Sequence, residues 1–254
     1  MQAIHIQSFV AAPPDQVWAA LFARAELLFD GLPPKVWPEE RDEQPPFHVK
    51  VAWPHTPEPT EVSLTLYELG GGTRVDLRHA LWGEGSGWDA AIQGHFAGWL
   101  QGLAVLGLMI ETGTDARAAD PALRGGERYF ASGEIPAEAA PVYRSLTDRE
   151  VLERWSDGVL DGAERLDAIE DRYVRWRLPA AAASGCAAAS GGTAATPGGT
   201  AAVPGRAASA GELVVILRPT PRGTHVALAE YGVADRGASA RWPAMFERLA
   251  RFLV

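Results

Sequence analysis

Glu68-Leu69-Gly70-Gly71-Gly72-Thr73-Arg74-Val75-Asp76-Leu77 decides the fold of this chain. Three glycines between two alternating apolar runs supply positive φ without a steric penalty. They predict a hairpin joining a strand over 61–69 to one over 73–81. Thr220-Pro221-Arg222-Gly223-Thr224-His225-Val226 repeats the arrangement. Again two strands, 212–218 and 224–231, meet at a turn, and again Gly-Thr heads the second strand.

The pattern extends outward from both hairpins in the same order. Upstream of the first, Ile4-His5-Ile6-Gln7-Ser8-Phe9-Val10 alternates as a strand does. Pro13-Pro14-Asp15-Gln16 then signals a helix start, and Val17, Trp18 and Leu21 give that helix an apolar face. Phe47 to Trp53 alternates again. Downstream, a long helix from Gly87 to Glu111 carries the stripe Ile92, Phe96, Trp99, Leu103, Leu106, Ile110. The second half reads as a strand 128–133, one or two helices over 136–155, strands 164–170 and 172–178, the hairpin, and a helix 240–254. Both halves therefore run strand, helix, strands, hairpin, long helix, an internal repeat of about 120 residues once residues 180–211 are set aside.

Those residues are different in kind. Of the 32 from Ala180 to Gly211, 29 are Ala, Gly, Ser, Thr or Pro. Such a stretch has too little to bury to offset its ordering entropy, so it is expected to be a disordered insertion inside the second unit. The expected organisation is domain 1 over 1–112, a linker 113–126, and domain 2 over 127–254 carrying the insertion.

The chain has 254 residues, 47% hydrophobic and 22% charged, which allows a sizeable core. The net charge is −9, and residues 1–120 hold all of it, with 7 basic and 16 acidic groups. That field repels nucleic acid and anionic membranes, so neither is an expected partner. Cys186 is the single cysteine, so no intrachain disulfide forms. The first residues have no basic or apolar leader pattern, and the longest apolar run, Phe96–Ile110, is too short to span a bilayer. A cytoplasmic location is expected.

Phe9-Val10-Ala11-Ala12-Pro13-Pro14-Asp15-Gln16-Val17-Trp18-Ala19-Ala20-Leu21 resembles the opening of SRPBCC (START-like, birch-allergen-like) domains. Leu146-Thr147-Asp148, then Leu152 and Trp155, resembles the branch named for the activator of the heat-shock-protein-90 ATPase. Gly72-Thr73 and Gly223-Thr224 resemble its Gly-Thr-headed strand, and Gly87-Trp88 and Arg241-Trp242 its last helix start. The resemblance implies an α+β chain of two tandem helix-grip domains. In each, a curved antiparallel sheet wraps a long C-terminal helix. Only 16 residues separate Asp30 from Phe47, so the sheets are expected to be shortened. The resemblance implies a binding protein for a small apolar ligand or a protein partner. A polyketide cyclase/dehydratase-like enzyme and a structural pseudo-dimer without ligand are the alternatives.

The chemistry visible in the residues is sparse. The six histidines show no His-x-x-x-His pairing and no cysteine partner, so no metal and no cofactor are expected. Gly83-Glu84-Gly85-Ser86-Gly87 reads as the loop into the long helix, with Ser86 a cap. Trp53, Trp82, Trp88 and Trp99, with Ile92 and Phe96, either line an apolar pocket or fill a core. His79 and Asp76 are the acid–base candidates for the enzyme alternative. Arg78 and, in the matching place of the second unit, Glu230 are the other ionisable groups on the hairpin strands. Gly94, Gly98 and Gly102 mark one stripe of the long helix for close approach.

Overall fold

A computed structural model describes residues 3–28, 40–42, 44–53, 56, 59–119, 121–124, 128–179, 211–232 and 238–254. The chain divides into two compact units, Met1–Ala116 and Arg117–Val254. Residues 180–210 of the expected insertion lie outside the described residues.

Unit 1 begins with β1 (Ile4–Val10), helix α1 (Pro14–Ala23) and a 3₁₀ turn over Ala25–Leu27. Four further strands are β2 (Glu40–Asp42), β3 (Phe47–Trp53), β4 (Thr60–Leu69) and β5 (Gly72–Ala80). Helix α2 (Ser86–Thr112) closes the unit. It starts one residue before the expected Gly87, with Gly85 rather than Ser86 at the cap position. The antiparallel sheet runs β1-β5-β4-β3-β2, so the first strand pairs with the last. Inward positions on β3, β4 and β5 alternate as Val49/Val51, Val62/Leu64/Leu66 and Val75/Leu77, all essentially inaccessible to water. Val17, Trp18 and Leu21 of α1 and Leu103 and Leu106 of α2 are likewise buried.

Unit 2 has α3 (Pro121–Arg124), β6 (Arg128–Ile135), α4 (Ala139–Thr147) and α5 (Arg149–Trp155). It continues through β7 (Glu164–Ile169), β8 (Tyr173–Arg177), β9 (Glu212–Thr220) and β10 (Gly223–Tyr231) to α6 (Ala238–Leu253). Its sheet order, β6-β10-β9-β8-β7, is that of unit 1. Two five-stranded antiparallel sheets, each closed by a long final helix, make this a tandem helix-grip fold. The Leu-Thr-Asp run has a local purpose. The Asp148 carboxylate accepts from the backbone N–H groups of Glu150 and Val151 and so starts α5. The Trp155 indole donates to the Ser145 carbonyl at 2.8 Å and ties the two short helices together.

The Gly-Thr pair also has one purpose in both units. Thr73 Oγ1 donates to the Ala12 carbonyl at 2.7 Å, and Thr224 Oγ1 to the Ala137 carbonyl at 2.7 Å. Each hydroxyl pins the joint between first strand and first helix. The glycine beside it leaves room for that joint. A Cβ on Gly72 would lie 2.5 Å from the Val10 carbonyl oxygen, and one on Gly223 would strike the Ile135 carbonyl oxygen. The α2 glycines differ. A Cβ on Gly102 would meet the Leu27 carbonyl oxygen at 3.3 Å, a close approach, whereas one on Gly94 would face open space. Gly94→Ala is therefore expected to stabilise unit 1 by about 1 kcal/mol, and Gly72→Ala to destabilise it by at least about 2 kcal/mol. Urea midpoints of the two variants check both signs.

Candidate functional site

Strand alternation separates the two acid–base candidates. Val75, Leu77 and His79 share the inner face of β5, while Arg74, Asp76 and Arg78 share the outer one. Asp76 is held there by Arg74, Nε to Oδ1 3.0 Å. His79 and Asp76 therefore do not converge.

His79 is fully buried, opposite Ile4 of β1 and Val62 of β4. Around it stand the tryptophans named from the sequence. Ring centroids lie 4.1 Å away for Trp82, 5.9 Å for Trp99 and 6.0 Å for Trp53. Trp53 and Trp99 are 4.9 Å apart. Trp88 is half-buried and meets Trp82 edge-on at 6.0 Å, its indole lying against the backbone of Gly83. Leu81 adopts positive φ (66°) directly after β5, and Trp82 Nε1 donates back to the His79 carbonyl at 2.8 Å. Ile92 is half-buried and Phe96 is 42% exposed, so the buried stripe of α2 starts at Trp99 rather than at Ile92.

The hydrogen bonds assign the histidine tautomers, because an indole N–H can only donate. Trp99 Nε1 donates to His79 Nδ1 at 3.0 Å. The His79 proton is then on Nε2, which donates to Thr60 Oγ1 at 2.7 Å. Trp53 Nε1 donates to His95 Nε2 at 3.1 Å, so His95 carries its proton on Nδ1 and donates to the Ala91 carbonyl at 2.8 Å. The two imidazoles stand 5.3 Å apart. Burial, with a smaller contribution from His95, lowers the His79 pKa from 6.5 to about 3. His79 is thus a neutral imidazole with both nitrogens engaged, and it has no lone pair free for a substrate proton.

His95 and Thr60 are participants that the sequence reading did not single out. His95 lies four residues before Trp99, one helical turn along the same face, which is the signal that points to it.

Unit 2 has a counterpart at the same strand position. Counting from Gly72 and Gly223, the eighth residue of β5 is His79 and the eighth of β10 is Glu230. Glu230 therefore matches His79, not Asp76 or Arg78. It is 1% exposed and faces Tyr129 of β6. Arg241 Nη2 donates to both carboxylate oxygens, at 2.8 and 2.7 Å, and Trp242 Nε1 donates to Oε2 at 2.6 Å. In each unit a tryptophan of the closing helix donates to the titratable group at that strand position. Burial first, then the Glu230 charge, raises the Tyr129 phenol above its ordinary pKa, against an opposing effect of Arg241. A cavity in unit 2 lined by Leu146, Trp155, Leu213, Trp242 and Met245 has only about 10 Å³, roughly the room for one water. In unit 1 a larger groove of about 490 Å³ lies between the start of α1 and the β4–β5 hairpin.

Among the described residues no group of three or more His, Cys, Asp or Glu is placed to hold a metal ion. No helix among them is long and apolar enough to cross a membrane.

No protein-family model matches the sequence, and no curated protein matches it. Among solved structures the chain is similar to DynU16, a protein of the dynemicin biosynthetic locus, at 15% identity and TM-score 0.37 over 100% of this chain and 96% of that one. It is similar to the di-domain ARO/CYC protein BexL of the BE-7585A biosynthetic pathway at 12% identity and TM-score 0.31, over 100% and 99%. The Aha1 dimer from Colwellia psychrerythraea is matched at 19% identity and TM-score 0.35, over 44% of this chain and 98% of that one.

Proposed function

We propose that this chain is a non-enzymatic binding protein of the SRPBCC superfamily that holds a small apolar ligand. One observation carries the reading. The titratable group facing the closing helix of each unit, His79 and Glu230, is buried and spends its hydrogen-bonding capacity on the protein itself. General acid–base catalysis needs a group that can exchange a proton with a substrate, and neither does. The groove of about 490 Å³ in unit 1 lies within the roughly 300–1,000 Å³ typical of small-molecule sites. The Leu146-Thr147-Asp148 junction of α4 and α5 supports the heat-shock-protein-90-activator-like branch, in which a protein would take the ligand's place.

Native mass spectrometry of protein purified from its own host tests the reading. A retained small molecule is the expected result, and a retained protein would point to the branch role instead. Turnover of a poly-β-ketone substrate that is lost in His79→Gln would overturn it in favour of a cyclase.

A further inference from the structure

We infer that the groove of unit 1 is a binding site for small amphipathic cations, molecules with an aromatic or alkyl body and an ammonium head. The groove holds about 490 Å³ and is lined by Pro14 and Asp15 of α1, Pro45, Pro46 and Phe47 at the start of β3, and Leu66, Tyr67 and Glu68 at the end of β4. Phe47 and Leu66 pair across the β3–β4 register and are buried beneath the groove, so Pro14, Pro45, Pro46 and Tyr67 supply its accessible apolar surface. Three prolines stiffen its walls, so a ligand meets a largely pre-formed surface.

Charge selects among apolar ligands. Every lining residue among the described ones is apolar, aromatic or acidic. Asp15 and Glu68 are exposed, and neither carboxylate has an ion-pair or hydrogen-bond partner among the described residues. Among the described residues Arg74 lies 4.6 Å over the Tyr67 ring and is paired with Asp76. Residues 1–120 carry a net charge of −9, so the long-range field has the same sign as the rim. An anionic ligand of equal apolar area would gain the same burial but meet two like charges at the rim.

The test is titration of the ¹⁵N-labelled full chain with 2-phenylethylammonium, 3-phenylpropanoate and 2-phenylethanol. The three share an apolar body and differ in charge. The cation should shift the amides of Asp15, Phe47, Tyr67 and Glu68 and bind at least about tenfold more tightly than the anion. Asp15→Asn with Glu68→Gln should weaken the cation about five- to tenfold and leave the alcohol unchanged. Both changes are isosteric and exposed, so folding is retained. Equal affinity for cation and anion, shifts centred elsewhere, no shift at all, or an unaffected double variant would each overturn the proposal. The inference rests on the binding reading, yet the two fail separately. An anionic or neutral molecule retained from the host, with a groove silent to the cation, would leave that reading standing and remove this one.

Discussion

Acidification from pH 6.5 to 4 is expected to destabilise unit 1 by about 3 kcal/mol more than it destabilises a His79→Gln variant. In the folded chain His79 has a pKa of about 3, and its ordinary value is 6.5. The unfolded chain therefore binds a proton across that interval that the folded chain refuses. Stability held in this way is fully present above pH 6.5 and is lost as pH falls toward 3, at about 1.4 kcal/mol per pH unit. Gln keeps an acceptor for Trp99 and a donor for Thr60 but cannot titrate. The readout is urea unfolding followed at the Trp82 and Trp99 indole resonances. His225, whose pKa burial also lowers, acts in the same direction but belongs to unit 2. Parallel pH profiles for the two proteins would show that His79 protonates without cost.

The second large effect lies in unit 2. Arg241→Leu leaves the Glu230 carboxylate, 2% exposed at its side chain, with only Trp242 as a donor. Removing one partner of a buried ion pair costs about 3–5 kcal/mol. Because the Arg241 side chain is 22% exposed, a loss of about 2–3 kcal/mol is expected. Glu230→Leu should cost less, since Arg241 can turn to solvent, although Trp242 Nε1 loses its acceptor. The double variant Glu230→Leu/Arg241→Leu should recover most of the loss, because an apolar pair of similar volume replaces the ion pair without an orphaned charge. A double-mutant cycle in urea measures the coupling. Additive losses would mean that the pair contributes no mutual stabilisation.

Much of the fold was legible because it is written in periodicity. The alternation in Ile4–Val10 and Phe47–Trp53, the glycine triplet and the helix-start prolines each act locally, and the structure keeps them. β2 was not legible. It is three residues of Glu-Arg-Asp, held by pairing with His48–Lys50 rather than by any apolar pattern of its own. The stripe of α2 ran too far, since a helical period cannot say where a sheet stops covering the helix, and Phe96 lies beyond that limit. The tryptophans around His79 could be listed from the sequence, but their hydrogen bonds could not. Those depend on the positive φ of Leu81 and on one turn of α2 bringing His95 and Trp99 to the same histidine. The match of Glu230 to Asp76 or Arg78 erred by one to three positions. On a strand an odd error changes the face, which is why the count from Gly72 and Gly223 matters.

The pairing of first strand with last has a consequence during synthesis. Ile4 must wait for His79, 75 residues later, before β1 has a partner. Arg128 must wait for Tyr231, 103 residues later. At roughly 5–20 residues per second, the first delay lasts on the order of 4–15 seconds. Because both first strands end in the same Thr-pinned joint, a simultaneous search would offer each closing hairpin two similar candidates. Translation removes the ambiguity by timing. β5 emerges when β1 is the only candidate made, and by the time β10 leaves the ribosome β1 is already taken and β6 alone remains open. Vectorial growth thus sorts two copies of one motif. Refolding from denaturant, where all four strands are present at once, is where cross-paired traps would form.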